Sequence, residues 1–140
     1  MKLMNIRTCF LAVLLVVVPL TGSAAEEKEE TAKRRALEWL ALVDAMQYEA
    51  SWKDAASLFK AQVRISDWVR AVAAARRPLG DLVARRLISA TYATSLPGAP
   101  DGEYVVLQFQ TRFENKARAV ETVTPMVDEG HWRVSGYYIR

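Results

Sequence analysis

Two acidic residues lie in apolar stretches of the sequence, where a carboxylate could do chemistry. Asp44 lies four residues from both Leu40 and Tyr48, so the three would share one face of a helix. A carboxylate on a buried helix face is costly unless it is paired. We therefore expect Asp44 either to pair with a basic group or a backbone N–H, or to lie in a cavity. In a cavity it would have a raised pKa and could transfer a proton or hold a cationic ligand.

Glu121 is the second such carboxylate. It alternates with Ala119 and Val123, so a strand with this face inward would carry the carboxylate into the interior. The alternative is a cross-strand ion pair with Arg112 or Arg133. The side chains that could line an interior cavity or hold a ligand there are Asp44, Tyr48, Tyr92 and Glu121.

Two arginine pairs bracket a predicted turn at residues 78–80. The pairs are Arg76-Arg77 and Arg85-Arg86. Together they could form an anion-binding rim, because a guanidinium group binds carboxylate or phosphate through two parallel hydrogen bonds. The alternative is that they solvate a surface or form weak ion pairs, as most exposed arginines do.

Other catalytic signals are sparse. The single histidine, His131, lies beside a predicted turn at Glu129-Gly130, which does not suit a buried general base or a histidine-rich metal site. The sequence contains no glycine-rich phosphate loop, nucleophile elbow or paired-histidine motif. We therefore expect no metal and no cofactor, and we favour a role without catalysis.

These side chains must be positioned by helices in the first half of the chain and strands in the second. Helical spacing predicts a long helix over residues 26–48. A second helix, over 51–60, would begin with a capping box at Ser51 and Asp54. A third would begin at Ser66 and end at residues 78–80. Residue types and turn signals predict four strands, over 85–96, 103–113, 117–127 and 132–139.

This order predicts an α+β domain with N-terminal helices packed on a curved four-stranded antiparallel meander. In the second strand one set of alternating residues should face the helices: Val105, Leu107, Phe109, Thr111 and Phe113. Pro125 cannot donate a hydrogen bond within a sheet, so we expect a bulge near Thr124-Pro125. Gly136 would mark a second bend or a contact between an aromatic ring and the backbone. A bent sheet closing on helices would form a cone.

The first 25 residues have the pattern of a cleaved secretory signal peptide. Lys2 and Arg7 precede an apolar block at residues 9–20, and small residues at 23–25 form a cleavage site. An uncleaved membrane span is the alternative, but Pro19 and the small residues favour cleavage. We therefore expect a single domain over residues 26–140, periplasmic or secreted, with no stable membrane anchor after cleavage.

Cleavage would change the charge and the redox chemistry of the protein. Loss of Lys2 and Arg7 reduces the 19 basic residues to 17, against 16 acidic ones, so the net charge falls from +3 to about +1. A nearly neutral domain lacks the strong positive field of a nucleic-acid-binding protein, so we expect no nucleic acid partner. Cys9 would also be removed, which excludes disulfides and thiol chemistry in the remaining domain.

Several motifs resemble an exported bacterial family called domain of unknown function 4019. The most specific is the C-terminal run Trp-Arg-Val-Ser-Gly-Tyr-Tyr-Ile-Arg. The motifs that carry the resemblance are residues 39–44, Tyr48 with Trp52, Trp68, and residues 77–80, 96–98, 101–106, 121–124 and 132–140. The resemblance implies a helix-then-curved-sheet domain similar to the cystatin-like or nuclear-transport-factor-2-like group. It implies no established activity, because that architecture supports many functions.

Three classes of function fit these observations. The first, which we favour, is an exported binding or interaction domain for an unidentified protein or small molecule, with a homodimer through the open sheet face as one form. The second is a periplasmic inhibitor or immunity-type protein that uses an edge strand or the loop at residues 97–102. The third is a small cone-fold enzyme that uses Asp44 and Glu121. An enclosed cavity lined by both carboxylates and a tyrosine would favour the enzyme, whereas an interior filled by tryptophans would oppose it.

Overall fold

The computed structural model of the protein describes residues 22–140, so most of the expected signal peptide lies outside the described residues. Helices come first along the chain: α1 (Ala24–Asp44), α2 (Tyr48–Asp54), α3 (Ser57–Gln62), α4 (Ile65–Arg76) and a 3₁₀ turn (Arg77–Leu79). Four strands follow: β1 (Leu82–Ala93), β2 (Tyr104–Phe113), β3 (Lys116–Asp128) and β4 (His131–Ile139). They form one antiparallel sheet in the order β1-β2-β3-β4. The predicted α+β class and meander are confirmed, and the sheet does not close into a barrel.

The helices differ from the prediction around Ser51. Met46 has a positive φ of 58°, which ends the first helical segment, and α2 begins at Tyr48. Ser51 is therefore inside α2, and the predicted capping box at this position is wrong. Its buried hydroxyl donates to the carbonyl of Tyr48 at 2.6 Å and accepts a hydrogen bond from Nε1 of Trp68 at 2.9 Å. The predicted second helix is two short helices, separated where the N–H of Ala56 donates to the carbonyl of Val134 at 2.8 Å.

The alternation of inward-facing and outward-facing side chains in strand β1 is interrupted halfway along the strand. Its register with β2 shifts between Leu87 and Ser89, so Ile88 is an extra residue that has no partner on β2. Arg85 and Leu87 face the helices before this bulge, whereas Tyr92 packs against the core after it. The bulge thus allows side chains at an odd spacing to point to the same side of the sheet.

The bulge expected near Pro125 is confirmed. The pairing of β3 with β4 shifts between Thr124 and Pro125, and the extra residue is Ser135 on β4. The Ser135 hydroxyl donates to the carbonyl of Thr124 at 2.8 Å. Gly136 pairs with Thr124 at this same irregularity, and the nearest atoms to a Cβ at Gly136 would belong to Thr124. Gly136 therefore lies at the bulge opposite Pro125 and not at a second bend, and the position that a Cβ would occupy faces Thr124.

The space between the helices and the sheet is filled by apolar side chains. All five residues of β2 that were predicted to face the helices are buried. Aromatic rings occupy the centre: Trp39 lies 5.8 Å from Trp68 and 5.5 Å from Tyr137, and Phe59 lies 5.1 Å from Trp68, between ring centroids. Among residues 22–140, no helix has both the length and the apolarity needed to cross a membrane.

Candidate functional site

Four charged side chains meet where two helices end beside the sheet. Asp44 is the last residue of α1 and Arg76 is the last residue of α4. Helix α1 ends there because the chain turns at Met46, and α4 ends where a 3₁₀ turn with proline begins. Arg85 from β1 and Glu121 from β3 reach the same point from the inner side of the sheet. We call these four residues the charge cluster.

The guanidinium of Arg85 connects the two carboxylates of the charge cluster. Its Nη1 and Nη2 donate to the Asp44 oxygens at 2.7 and 2.9 Å, and its Nε donates to Oε1 of Glu121 at 2.7 Å. Arg76 adds a hydrogen bond from Nη2 to Oδ1 of Asp44 at 2.8 Å. Asp44 therefore pairs with two basic groups, which is the structural role weighed from the sequence.

Glu121 is completely buried, with 0% of its surface exposed. Besides Arg85, the hydroxyl of Thr111 donates to Oε1 at 2.5 Å and the hydroxyl of Tyr137 donates to Oε2 at 2.5 Å. The inward direction expected for this side chain is confirmed. Its ionic partner is Arg85 rather than the Arg112 or Arg133 that the sequence suggested, because both of those lie on other faces or ends of the sheet.

Burial and hydrogen bonding act in opposite directions on Asp44. Burial would raise the pKa of this carboxyl, but the hydrogen bonds from Arg85 and Arg76 outweigh burial and hold the pKa below its ordinary value. Burial, with the charge of Glu121 beside it, raises the pKa of the Tyr137 hydroxyl. Asp44 thus stays ionised and Tyr137 stays neutral near pH 7, so neither is matched to a proton transfer at that pH.

Arg76 is held by Asp44 and by an aromatic ring. Its side chain is almost wholly buried, and its Nε and Nη1 have no hydrogen-bond partner among the described residues. The guanidinium carbon lies 4.7 Å from the centroid of the Phe113 ring, so a cation–π interaction partly replaces the missing hydrogen bonds. The two positive and two negative charges of the cluster balance each other inside the protein.

The cluster does not line an enclosed cavity. A pocket of about 140 Å³ opens beside it and is bordered by Asp44, Tyr48, Arg76 and Arg77, but Glu121 is not part of its wall. The interior next to Glu121 is filled by Tyr137 and the tryptophans that pack on it. The cluster can therefore hold α1, α4 and the sheet together, but it offers no room for a substrate between its carboxylates.

The other predicted site residues lie elsewhere. The Tyr92 hydroxyl accepts a hydrogen bond from Lys28 at 3.3 Å and donates to Glu103 at 2.9 Å, so it connects the start of α1 to the sheet. Of the four arginines proposed as a rim, Arg76 and Arg85 are buried in the charge cluster, whereas Arg77 and Arg86 are exposed. They do not form one rim. His131 is exposed at the first residue of β4.

A group of arginines on the outer sheet face was missed by the sequence reasoning. Each strand, or the residue directly after it, supplies one exposed arginine on the side away from the helices: Arg86, Arg112, Arg118 and Arg140. We call this group the arginine face. The alternation of side chains along the strands could have predicted this face, since every member follows or precedes an inward-facing residue. The prediction considered only the adjacent arginine pairs, in which Arg76 and Arg85 are buried.

The register brings the arginine face together. Arg86 pairs with Gln110, Gln110 pairs with Val120, and Val120 exchanges two backbone hydrogen bonds with Arg140 at 2.9 and 3.1 Å. Arg112 and Arg118 lie two residues further along on the outer side of β2 and β3, where the pairing of the two strands shifts between Thr111 and Phe113. With strands about 4.8 Å apart and alternate residues about 7 Å apart, the four Cα atoms lie within roughly 14 by 7 Å.

Within residues 22–140 no group of three or more His, Cys, Asp or Glu side chains is arranged to hold a metal ion.

Comparisons with known proteins identify a family. Among curated proteins, none matches the chain. The family described as "Protein of unknown function (DUF4019)" matches residues 35–137, which cover α1 from its middle through to Tyr137 of β4. The charge cluster and three of the four arginines of the outer face lie within this match, and the chain belongs to the DUF4019 family.

Proposed function

We propose that the protein is an exported binding domain that acts through its surface and not through catalysis. The observation that carries this proposal is the charge cluster, in which both interior carboxylates are satisfied by arginines, a threonine and a tyrosine. A catalytic acid or base must reach a substrate and have a pKa near the working pH. Asp44 has a lowered pKa, and Glu121 is out of reach of solvent.

The filled interior supports the same proposal. Enzymes built on a cone of helices and curved sheet need a cavity between the two layers, and here Trp39, Trp68 and Tyr137 occupy that space. We also propose that the architecture is similar to the cystatin-like or nuclear-transport-factor-2-like group, because helices precede a bulged antiparallel meander. That group includes interaction modules as well as enzymes, so the similarity supports a binding role only together with the filled interior.

Export is the second part of the proposal. It rests on the sequence pattern of residues 1–25, a basic start followed by an apolar block and small residues. The expected destination is the periplasm or the medium of a bacterial cell. A fusion of residues 1–25 to alkaline phosphatase, which is active only after export, tests this part. We expect activity in the fusion and loss of it when Leu14→Arg interrupts the apolar block; equal activity in both fusions would contradict export.

Site-specific photo-crosslinking in the cells that make the protein tests the binding role. A photoreactive side chain is placed in turn at the exposed positions Tyr138 on the sheet and Lys53 on the helical side. A binding domain gives a discrete adduct of higher mass from one side and not from the other. If no exposed position yields an adduct, the protein has no stable partner and the proposed function is wrong.

A further inference from the structure

The outer sheet face carries positive charge that the protein itself does not neutralise. None of its four arginines forms an ion pair with a described residue, and Arg86 donates only to the neutral side chain of Gln110. Within the strands the acidic residues are Glu121, which faces inward and is buried, and Asp128, which lies at the opposite end of β3 from Arg118. Glu114, directly after β2, is exposed and forms no ion pair with the four arginines. A nearly neutral domain thus carries four arginines without ion-pair partners among the described residues on one part of one face.

We propose that this arginine face binds an acidic surface of a partner protein through the partner's Asp and Glu carboxylates. This inference rests on the proposed binding function and specifies the partner of that function. The Cα atoms of the four arginines lie within roughly 14 by 7 Å, from the spacing of strands and residues, so the arginines can together bind a cluster of carboxylates on a folded surface. A pocket of about 250 Å³ beside Arg86 and Arg112 gives this face a concave part where a side chain of the partner can enter.

The residue types on the face favour a protein over other anionic partners. All four cations are arginines, which bind carboxylates through two hydrogen bonds, and arginine and tyrosine are enriched at protein interfaces whereas lysine is depleted. Tyr138 lies two residues before Arg140 on the same face and is 60% exposed. Neighbouring outward positions carry hydrogen-bonding side chains, Gln108 and Thr122, which are paired with each other across the strands.

A lipid surface fits these observations less well. A protein that binds the membrane surface buries a continuous apolar area beside its positive charges. In the described sheet the exposed large apolar side chains lie on the two edge strands, Leu82, Val83 and Ile88 on β1 and Tyr138 on β4, so they do not form one continuous apolar area across the arginine face. Nucleic acid also fits less well, since the face has no row of aromatic rings on which successive bases could stack.

Binding of a fluorescent oligoglutamate peptide, followed by anisotropy, tests the inference on the full chain. The test variant is Arg112→Gln with Arg118→Gln, and the matched control is Arg34→Gln with Arg64→Gln, two exposed arginines outside the sheet. We expect affinity to fall about tenfold or more in the test variant, because charge-assisted contacts are lost. In the control variant we expect the affinity for oligoglutamate to change by less than about twofold, since Arg34 and Arg64 lie outside the arginine face and their charges are screened by salt.

Two further measurements separate the partner classes. Replacement of Arg112 and Arg118 by lysine keeps the charge, so binding that survives this change in full would show a diffuse attraction and overturn recognition by arginine. Tighter binding to phosphatidylglycerol vesicles or to single-stranded DNA than to oligoglutamate, lost in the same glutamine variant, would overturn the choice of a protein partner. An equal loss of oligoglutamate affinity in the test and control variants would overturn the assignment of binding to the arginine face. Each of these results leaves the crosslinking test of the proposed function intact, because that test does not depend on the charge of the partner.

Discussion

Arg85 holds Asp44 through both of its terminal nitrogens, at 2.7 and 2.9 Å, and so fastens the end of helix α1 to strand β1. The C-terminal end of a helix carries a partial negative charge, which makes it an unfavourable place for a carboxylate. Asp44 remains ionised there because Arg85 and Arg76 surround it. The stability of the layered fold therefore depends on a charged contact within an otherwise apolar interior.

Replacement of Asp44 by asparagine should strongly destabilise the protein. The change keeps the shape of the side chain but leaves Arg85 with one carboxylate and Arg76 with none. Breaking a buried ion pair by removing one partner costs about 3–5 kcal/mol. The free energy of unfolding, measured in urea by circular dichroism, should fall by about that amount. Asp67→Asn is the matched control: Asp67 pairs with the exposed Arg64 and Arg70, so its loss should cost less than about 1 kcal/mol.

The contribution of Asp44 should disappear in acid. Its pKa is lowered in the folded protein, so it stabilises fully at pH values above the ordinary value of 3.8. As the pH falls below that value, the unfolded chain takes up a proton that the folded protein excludes, and stability is lost. Asp128, whose pKa is lowered mainly by the backbone N–H of Ser57, adds to the same loss.

Urea titrations at several pH values between neutrality and strong acid separate the two contributions. The difference in unfolding free energy between the wild-type protein and Asp44→Asn should shrink as the pH falls below 3.8. Asp128 remains in both proteins and cancels in this difference. A difference that stays constant across the whole pH range would contradict the ionised state of Asp44.

Tyr137→Phe should test the hydrogen bond that reaches Glu121 from strand β4. The phenylalanine ring keeps the packing against Trp39, but Oε2 of Glu121 loses its donor in a dry environment. A buried polar group without a partner costs about 1–3 kcal/mol, and this loss should appear in thermal and urea unfolding. Tyr138→Phe is the control, because that neighbouring ring is exposed and its change should stay within about 0.5 kcal/mol. Equal effects of the two substitutions would be inconsistent with a specific role for the buried hydroxyl.

Deletion of Ile88 should be tolerated, because it removes the residue of the bulge that has no partner on β2. The deletion makes Leu87 and Ser89 consecutive, opposite the consecutive residues Phe109 and Gln108, and the even spacing that then separates Arg85 from Tyr92 keeps both on the inner side of a regular strand. We expect this variant to remain folded by circular dichroism. Deletion of Gln108 from β2 is the control: it has partners on both neighbouring strands, so its loss turns half of the inward side chains of β2 outward, and this variant should be largely unfolded. A deletion of Ile88 that disrupts the protein as much as the deletion of Gln108 would refute this account of the bulge.

This bulge also explains why part of the site could not be predicted from the sequence. Strand β2 alternates without interruption, so its inward residues were predicted correctly, and Pro125 indicated a bulge through its missing N–H. No glycine or proline marks Ile88, so nothing local indicates that the facing of β1 changes there. The partner of Glu121 was missed for that reason, since Arg85 becomes inward-facing only through the pairing of β1 with β2.

The error at Ser51 has a different origin. A serine followed by an acidic residue three positions later is typical of a helix start. In the structure the chain turns at Met46, which has a left-handed conformation, so α2 begins at Tyr48, three residues before Ser51. Ser51 then became a buried residue that binds the indole of Trp68. The identity of a residue with a positive φ is hard to predict when it is not glycine, and one such residue moved the helix boundary.

The start of α1 has a consequence for the proposed export. Ser23 and Glu26 cap this helix reciprocally, with the Glu26 N–H on the Ser23 hydroxyl at 3.2 Å and the Ser23 N–H on the Glu26 carboxylate at 2.9 Å. Processing after Ala25 would separate the two halves of this cap and would leave a positively charged amino group at the positive end of the helix dipole. Glu26 and Glu27 would then lie beside that new amino group and offset its charge. The acidic start of the mature chain would thus serve as an electrostatic substitute for the serine that export removes.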